Sequence, residues 1–157
     1  MSNPEVTIRQ ATLADLDELV RLRRMMFESM GVDDIERLDA MDQAVRAYMA
    51  TAMPAGQFYG WLAFAPDGET IASGGAVIDH HPPGPHNLSG RVGYIMNIVT
   101  IPRYRRQGIA RRVMRAILDW AREQSIQNVA LHASDMGKSL YASMGFADSN
   151  EMRRMLE

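Results

Sequence analysis

The sequence predicts a mixed α/β fold, and three observations lead to that prediction. The chain has 157 residues, within the roughly 100–200 residues of a typical single domain. Its apolar residues recur at helical spacing in some segments and form short β-rich runs in others. No repeats, low-complexity tracts or linkers separate these segments. We therefore expect one α/β domain over residues 1–157.

Hydrophobic periodicity and turn residues predict the individual elements. Thr12 and Asp15 have the spacing of a capping box at the start of the first helix, and Gly31 is a typical stop at its end. Residues 66–69, Pro-Asp-Gly-Glu, predict a hairpin turn between two β-rich runs. In chain order, we predict a strand at 6–9, helices at 16–30 and 38–52, strands at 57–65, 70–78 and 92–101, a helix at 109–121, a strand at 129–133, a short helix at 138–144 and a last strand at 152–156.

Composition excludes several classes of protein. The chain contains no cysteine, which excludes a disulfide scaffold, a cysteine-ligated zinc site and a cysteine nucleophile, and fits a reducing compartment. The net charge of −2 argues against a general affinity for nucleic acid. Residues 1–5 do not resemble a signal peptide, and no apolar run approaches 18 residues. We expect a cytoplasmic protein that binds neither nucleic acid nor membrane.

The most informative segment is the turn between the predicted strand at 92–101 and the helix at 109–121. Gly108 and Ala110 are small enough for a ligand to approach the backbone closely. The unpaired N–H groups at the start of a helix attract phosphate, and Arg105 and Arg106 add positive charge. The pattern therefore indicates a phosphate site. The alternative is an ordinary strand-to-helix turn with a solvated basic rim.

Together with two further segments, this turn resembles the GCN5-related N-acetyltransferase (GNAT) superfamily. The family's phosphate signature, Gln/Arg-x-x-Gly-x-Gly/Ala, is matched by Arg105, Gly108 and Ala110. A later Leu-Tyr pair before Gly-Phe is matched by residues 140–141 and 145–146, and residues 8–15 resemble the family's first strand and helix. The resemblance covers residues 6–156, in the family's order of elements.

The resemblance implies a mixed, mostly antiparallel central sheet flanked by helices. Two parallel strands, at 92–101 and 129–133, would splay apart and admit acetyl-CoA. Backbone amides of residues 106–110 would bind the pyrophosphate, and residues 98–100 would pair with the pantetheine arm, one strand N–H polarising the thioester carbonyl. The cofactor-binding residues implied are Ile98, Val99, Thr100, Arg105, Arg106, Gln107, Gly108, Ile109, Ala110, Ser134 and Tyr141.

Tyr141 falls at the family's general-acid position, where it would protonate the departing thiolate. A thiol has a reference pKa near 8.5 and a phenol near 10, so this transfer is uphill by roughly 2 kcal/mol. Tyr141 could therefore act only as a hydrogen-bond donor to the sulfur. Its structural alternative is a packed aromatic residue on a short helix.

The general base is left open by the sequence. Many family members carry a carboxylate on the strand at 94–100, but this chain has Met96-Asn97-Ile98 there, and Ser134 stands where asparagine is common. Asn97 is predicted to lie at a strand bulge or in the cleft. The candidates for the base are His132, Asp135, Glu28 and a water relay.

The function that these features predict is direct N-acetyl transfer to a primary amine of a small molecule or peptide, through a ternary complex. Without cysteine, an acyl-cysteine intermediate is excluded. The alternatives are a non-catalytic acyl-CoA-binding regulatory module and a nucleic-acid-binding domain that uses the arginine-rich turn.

The acceptor and the quaternary structure are less defined. The acidic residues Asp33, Asp34, Glu36 and Asp39 favour a cationic amine, although a solvated connection explains them equally well. We expect no metal, because His80, His81 and His86 lie in a segment of prolines and glycines without a register to fix ligands. The edge strands and the predicted C-terminal strand leave room for a homodimer.

Overall fold

The computed structural model describes residues 5–156. Two single 3-10 turns, Leu13–Asp15 and Pro102–Tyr104, precede helices. The strands and helices, numbered in chain order, are β1 (Thr7–Gln10), α1 (Leu16–Ser29), α2 (Ile35–Ala52), β2 (Tyr59–Phe64), β3 (Thr70–His80), β4 (Arg91–Thr100), α3 (Ile109–Glu123), β5 (Val129–Leu131) and α4 (Lys138–Ser143).

The five strands form one sheet in the order β1-β2-β3-β4-β5, antiparallel except for the parallel pair β4–β5. Adjacent residues of β3 show which helices cover each face. A Cβ placed on Gly74 would meet Val113 and Ile117 of α3, whereas one on Gly75 would meet Phe58. Gly75 pairs with Gly60, which lies against Leu19 of α1. The sheet is therefore flanked by α1 on one face and α3 on the other, as predicted.

Close packing of α3 on β3 depends on the absence of a side chain at Gly74. The apolar stripe of α3 is buried, with Val113, Met114 and Ile117 at 0% exposure. A Cβ at Gly74 would lie 2.7 Å from Val113 Cγ1, so the helix would have to move outward to accommodate it. Any larger residue at position 74 would thus displace α3, and α3 positions the phosphate turn at its own N-terminus.

The structure corrects several boundaries. Helix α2 begins at Ile35, three residues earlier than predicted, because the Asp34 side chain caps it by accepting a hydrogen bond from the backbone N–H of Arg37 at 3.1 Å. Strand β5 ends at Leu131, and β3 extends to His80. None of the helices in residues 5–156 combines the length and apolar character needed to cross a membrane.

The predicted strand at 152–156 is wrong. The segment is irregular, and Met152, Met155 and Leu156 are 94%, 85% and 81% exposed. Its order of two arginines between apolar residues does not have the alternation of a half-buried strand, so no face can be buried by pairing. One of the grounds for expecting a homodimer disappears with this strand.

The capping box at the start of the helical layer forms as predicted. Asp15 accepts two hydrogen bonds from the Arg9 guanidinium, at 2.7 and 2.9 Å, and a third from the backbone N–H of Thr12 at 2.8 Å. The bond from Arg9 is the main reason that the pKa of Asp15 is lowered to about 2. This carboxylate therefore ties β1 to the first turn of α1.

We expect Asp15→Asn to lower the free energy of unfolding at pH 7 by about 1 kcal/mol, the usual effect of losing a cap. The stabilisation by Asp15 is present above the unfolded-state pKa near 3.9 and is lost as the pH falls through about 2. Urea unfolding between pH 7 and pH 2 should show a smaller pH dependence in the variant. Asp119→Asn, which removes an exposed pair with Arg122, is the control; equal effects of both variants would contradict the assignment.

Candidate active site

A cleft opens where the two parallel strands part. Strands β4 and β5 pair only at Gly93–Val129, Tyr94–Ala130 and Ile95–Leu131. Strand β4 continues to Thr100, so the edge formed by residues 96–100 has no β5 partner. This is the splayed pair expected from the sequence, and the strand edge left without a β5 partner includes Ile98, Val99 and Thr100.

The separation of the strands coincides with a β-bulge at Asn97. Ser73 pairs with Val99 and Gly75 with Met96, so Asn97 and Ile98 together oppose Gly74 alone. Asn97 has φ +60°, a left-handed conformation, and the Ser73 hydroxyl donates to its carbonyl oxygen at 3.2 Å. Asn97 therefore lies at a bulge, one of the two positions predicted for it.

The turn before α3 presents unpaired backbone donors. Arg106 and Gly108 have φ of +62° and +76°, and left-handed residues in a turn direct successive N–H groups into a concave anion site. Within residues 5–156 the N–H groups of Arg106, Gln107 and Gly108 donate no hydrogen bond. Ile109, 3% exposed, anchors the helix start in the core, and Ala110 follows it. The predicted phosphate-binding residues thus lie together around one open turn.

The arginines of this region have different tasks. Arg105 is half-buried and donates from Nε to the carbonyl of Thr100 at 3.0 Å, which braces the turn against the end of β4. Arg111 donates to Ser143 Oγ at 2.8 Å and so connects α3 to α4. Arg106 is exposed and makes no side-chain hydrogen bond or ion pair with the described residues. Its charge is therefore available to a phosphate, whereas the Arg105 side chain has a bracing role.

Tyr141 is buried on α4, and its hydroxyl has no hydrogen-bond partner among residues 5–156. The ring packs edge-on against Phe146, and its edge passes so close to Gly137 that a Cβ there would lie 2.8 Å from the ring. Burial raises the pKa of Tyr141, so its proton is held more tightly than in water. Full transfer to a thiolate is then more unfavourable than the reference values indicate, and hydrogen bonding to the sulfur is the easier role.

Ser134 lies at the mouth of the cleft, just after β5. Its hydroxyl accepts a hydrogen bond from the N–H of Gly137 at 3.2 Å, and its carbonyl accepts from Lys138 at 3.0 Å. The side chain therefore stabilises the turn that begins α4 and, through α4, the position of Tyr141. A role of Ser134 toward the cofactor remains a prediction.

The candidates for the base differ sharply in their surroundings. His132 Nδ1 is hydrogen-bonded to the Tyr94 hydroxyl, directly beyond the last paired residues of β4 and β5. Glu28 is exposed and lies 3.9 Å from Arg24 on the same helix, and Asp135 is exposed without an ion pair among the described residues. Only His132 has a second titratable side chain aligned with it at the vertex of the cleft.

Tyr94 was not among the residues predicted from the sequence, because its contact with His132 depends on the register of β4 and β5. Its partner in the parallel register is Ala130, so His132, two residues further along the chain and just beyond β5, shares its face. Burial raises the pKa of the Tyr94 hydroxyl, with Glu151 and Asp79 acting in the same direction and Arg153 opposing them. The phenol therefore keeps its proton at neutral pH and can donate it to His132.

The structure shows what the acidic residues at 33–39 contact and how the segment at 81–90 is arranged. Asp34 caps α2, and Asp39 pairs with Arg24 at 2.7 Å, so two of the four acidic residues at 33–39 are engaged within the fold. The residues at 81–90 form an irregular connection with one isolated bridge, Gly84–Asn87. No group of three or more potential metal ligands occurs in the part of the chain that the structure describes.

The cleft fits a cofactor that has both a pyrophosphate and an extended amide arm. Open N–H groups and the exposed Arg106 suit the phosphates, and the unpaired edge of β4 suits strand-like pairing with amides. The fold and cleft together define an acyltransferase of the coenzyme A-binding class. The family model described as "Acetyltransferase (GNAT) family" matches residues 17–146, and the chain belongs to that family. It is, by family, an N-acetyltransferase.

Solved structures resemble the chain over nearly its full length. A GCN5-related N-acetyltransferase from Ralstonia eutropha JMP134 is 31% identical, covers 96% of this chain and 98% of its own, and has a TM-score of 0.87. A predicted acetyltransferase from Clostridium acetobutylicum, solved with acetyl-CoA, is 27% identical over 96% of both chains, with a TM-score of 0.85. The aminoglycoside N-acetyltransferase AAC(6')-Iy, solved with CoA, is similar in fold, at 20% identity, 99% and 97% coverage and a TM-score of 0.76. No protein with a curated description matches.

We expect Gly108→Glu to abolish the thermal stabilisation that CoA gives. A Cβ at position 108 meets no atom within 4 Å, so the fold has room for the side chain, but the carboxylate would fill the phosphate approach and repel its charge. Gly31→Glu is a matched control, because Gly31 has φ +95°, equally open surroundings and a position at the end of α1. Undiminished stabilisation of Gly108→Glu by CoA would refute the phosphate site.

Proposed function

We propose that the protein transfers an acetyl group directly to a primary amine within a ternary complex, and that Tyr94 and His132 accept the proton of the amine. The observation that carries the second part is the hydrogen bond between Tyr94 and His132 at the vertex of the cleft. Direct transfer is supported by the sequence, which contains no cysteine to carry an acyl group. Each residue's contribution follows from its position.

The donor side is formed by β4 and the turn before α3. Acetyl-CoA, when bound, supplies the acetyl group as a reactive thioester. Residues 98–100 would hold the donor by main-chain pairing along the edge that β5 leaves unpaired, and the turn at 106–110 would hold its phosphates. A strand N–H aimed at the carbonyl oxygen would stabilise the negative charge that develops there, usually the largest single contribution to catalysis.

Tyr141 contributes at the leaving sulfur. Its hydroxyl has no partner among the described residues, and the only fully buried, unpaired side-chain oxygen or nitrogen among them is Asp42 Oδ1. The Tyr141 hydroxyl is therefore not sealed within the protein and can reach a ligand. Because burial raises its pKa, the Tyr141 hydroxyl keeps its proton and donates a hydrogen bond to the sulfur as negative charge develops there.

The acceptor amine must lose a proton before or during its attack, because an alkylamine has a pKa near 10.4. Tyr94 Oη takes this proton while its own passes along the existing hydrogen bond to His132 Nδ1. The result is a neutral phenol and an imidazolium, which releases its proton to solvent at the exposed position of His132. This relay replaces the carboxylate that the strand lacks.

We expect Tyr141→Phe to lower kcat by about tenfold to a hundredfold, because a hydrogen bond to developing charge is lost while the ring packing is kept. The dissociation constant for CoA, measured by calorimetry, should change less than threefold. Tyr48→Phe alters an exposed tyrosine on α2 and is the control. A kcat equal to that of the wild type would exclude the role of Tyr141.

We expect His132→Gln to lower kcat/KM for the amine about a hundredfold at pH 7, as is usual for losing a general base. Tyr94→Phe should reproduce the rate loss, because it interrupts the same relay.

His86→Gln is the control for this prediction, since His86 is exposed in the connection between β3 and β4. Single-turnover release of CoA thiol from acetyl-CoA, with and without amines, measures the chemistry separately from binding. Cofactor binding without amine-dependent thiol release would favour the regulatory module instead. A kcat/KM for the amine that is unchanged in His132→Gln would overturn the relay while leaving acetyl transfer intact.

A further inference from the structure

Arg23 is a half-buried cation at the bulge of β4. It lies on α1, and its Nη1 donates a hydrogen bond to Oδ1 of Asn97. The guanidinium carbon lies 5.1 Å from the ring centroid of Phe27, one turn further along the helix. Arg23 therefore extends from α1 to the point where the cleft begins, and an aromatic ring supports it from one side.

Unlike the arginines next to it on α1, Arg23 has no carboxylate partner in the described part of the chain. Arg21 pairs with Glu18 at 2.7 Å, and Arg24 pairs with Asp39 and Asp42. Within residues 5–156 no carboxylate lies within 4.0 Å of the Arg23 guanidinium, and Asn97 is its sole hydrogen-bond partner. Burial lowers the pKa of Arg23, and no carboxylate opposes that shift.

An unpaired, partly desolvated charge is costly, and a bound anion would offset that cost. The amide of Asn97 uses one of the five N–H donors that a guanidinium has, so the others remain available. Bracing the bulge alone would require only a neutral donor. The fixed positive charge thus indicates a ligand with a negative group, and the planar fork of arginine suits a carboxylate or a phosphate.

The position of Arg23 places that ligand beside the reacting groups. Met96 pairs with Gly75, on the face of the sheet that α1 covers, and Tyr94, two residues earlier, points to that same face, where the bulged Asn97 meets Arg23 of α1. Tyr94 and Asn97 are three residues apart on one strand, about 10 Å at roughly 3.3 Å per residue. A single small molecule could therefore present its amine near Tyr94 and its anionic group to Arg23.

We propose that Arg23 binds an anionic group, a carboxylate or a phosphate, carried by the acceptor amine. The inference rests on the proposed function, since it assigns the substrate class of the same cleft. An anionic acceptor differs from the cationic amine that the acidic segment at 33–39 favours. In that segment Asp34 and Asp39 already have partners within the fold.

Matched pairs of amines test this proposal. Glycine is compared with glycinamide and lysine with lysinamide for a carboxylate, and 2-aminoethyl phosphate with ethanolamine for a phosphate. Calorimetry with CoA-saturated protein measures binding without turnover, and thiol release from acetyl-CoA measures transfer. We expect at least one anionic member to bind about tenfold or more tightly than its neutral partner, and the pair that shows it identifies the group.

Variants of Arg23 show whether the preference arises there. Arg23→Gln should remove it, Arg23→Lys should restore part of it, and Arg46→Gln, which breaks an exposed pair with Asp17, should leave it unchanged. Thermal unfolding midpoints of Arg23→Gln and Arg23→Lys show whether either variant loses its fold. If both are folded, partial recovery of the preference in Arg23→Lys means that the ligand requires the positive charge and not only the bracing of the bulge.

The outcomes separate this inference from the proposed function. Transfer to neutral amines without any preference for anionic ones, or a preference that survives in Arg23→Gln, overturns the inference and leaves acetyl transfer standing. Arg23-dependent binding of an anionic amine without thiol release overturns the transfer mechanism and leaves the anion site standing. Absence of binding by every anionic member overturns the inference.

Discussion

The β-bulge at Asn97 is the constraint on which the site depends. Because two residues of β4 oppose one residue of β3, the strand changes direction there, and β5 can follow it only as far as Ile95. The unpaired edge beyond the bulge is what a strand-like ligand requires. The bulge in turn is supported from both faces, by α1 through Arg23 and by α3 through the close approach at Gly74. The strand edge proposed to bind the cofactor and the sheet face proposed to bind the acceptor therefore both depend on this bulge.

The arginines show how the fold distributes positive charge around this bulge. Most are neutralised by carboxylates or used as donors to main-chain oxygens, such as Arg112, which donates to the carbonyl of Val6 at 2.8 Å. Arg106 at the phosphate end of the cleft and Arg23 at its vertex have neither kind of partner within the described residues, and Arg153, whose Nη2 lies 3.4 Å from His132 Nδ1, has no carboxylate partner there either. A net charge of −2 for the chain conceals this arrangement. The arginines without a carboxylate partner lie where they can bind the phosphates of the donor and an anionic group of the acceptor.

Local signals made a large part of the fold predictable. The capping box at Thr12 and Asp15, the stop at Gly31 and the apolar stripe of α3 depend on residues within one or two turns of each other, and each formed where it was predicted. The strand at 152–156 failed because a run of mixed polarity was interpreted without a partner strand. The contacts Tyr94–His132 and Arg23–Asn97 join residues 38 and 74 positions apart. They depend on strand register and on the bulge, neither of which a single sequence specifies.

The absence of a carboxylate from β4 is consistent with the charges around the cleft. A carboxylate at position 97, in place of the amide that Arg23 contacts, would pair with Arg23 and cancel its charge. An anionic acceptor brings its own negative charge, and a second one beside it would repel the acceptor's anionic group. A phenol and an imidazole can instead accept the amine proton without adding a negative charge beside the acceptor's own. The raised pKa of Tyr94 maintains this arrangement, because the phenol does not ionise at neutral pH and adds no negative charge of its own. The uncharged base and the anionic acceptor thus both follow from the positive charge of Arg23, which no carboxylate of β4 neutralises.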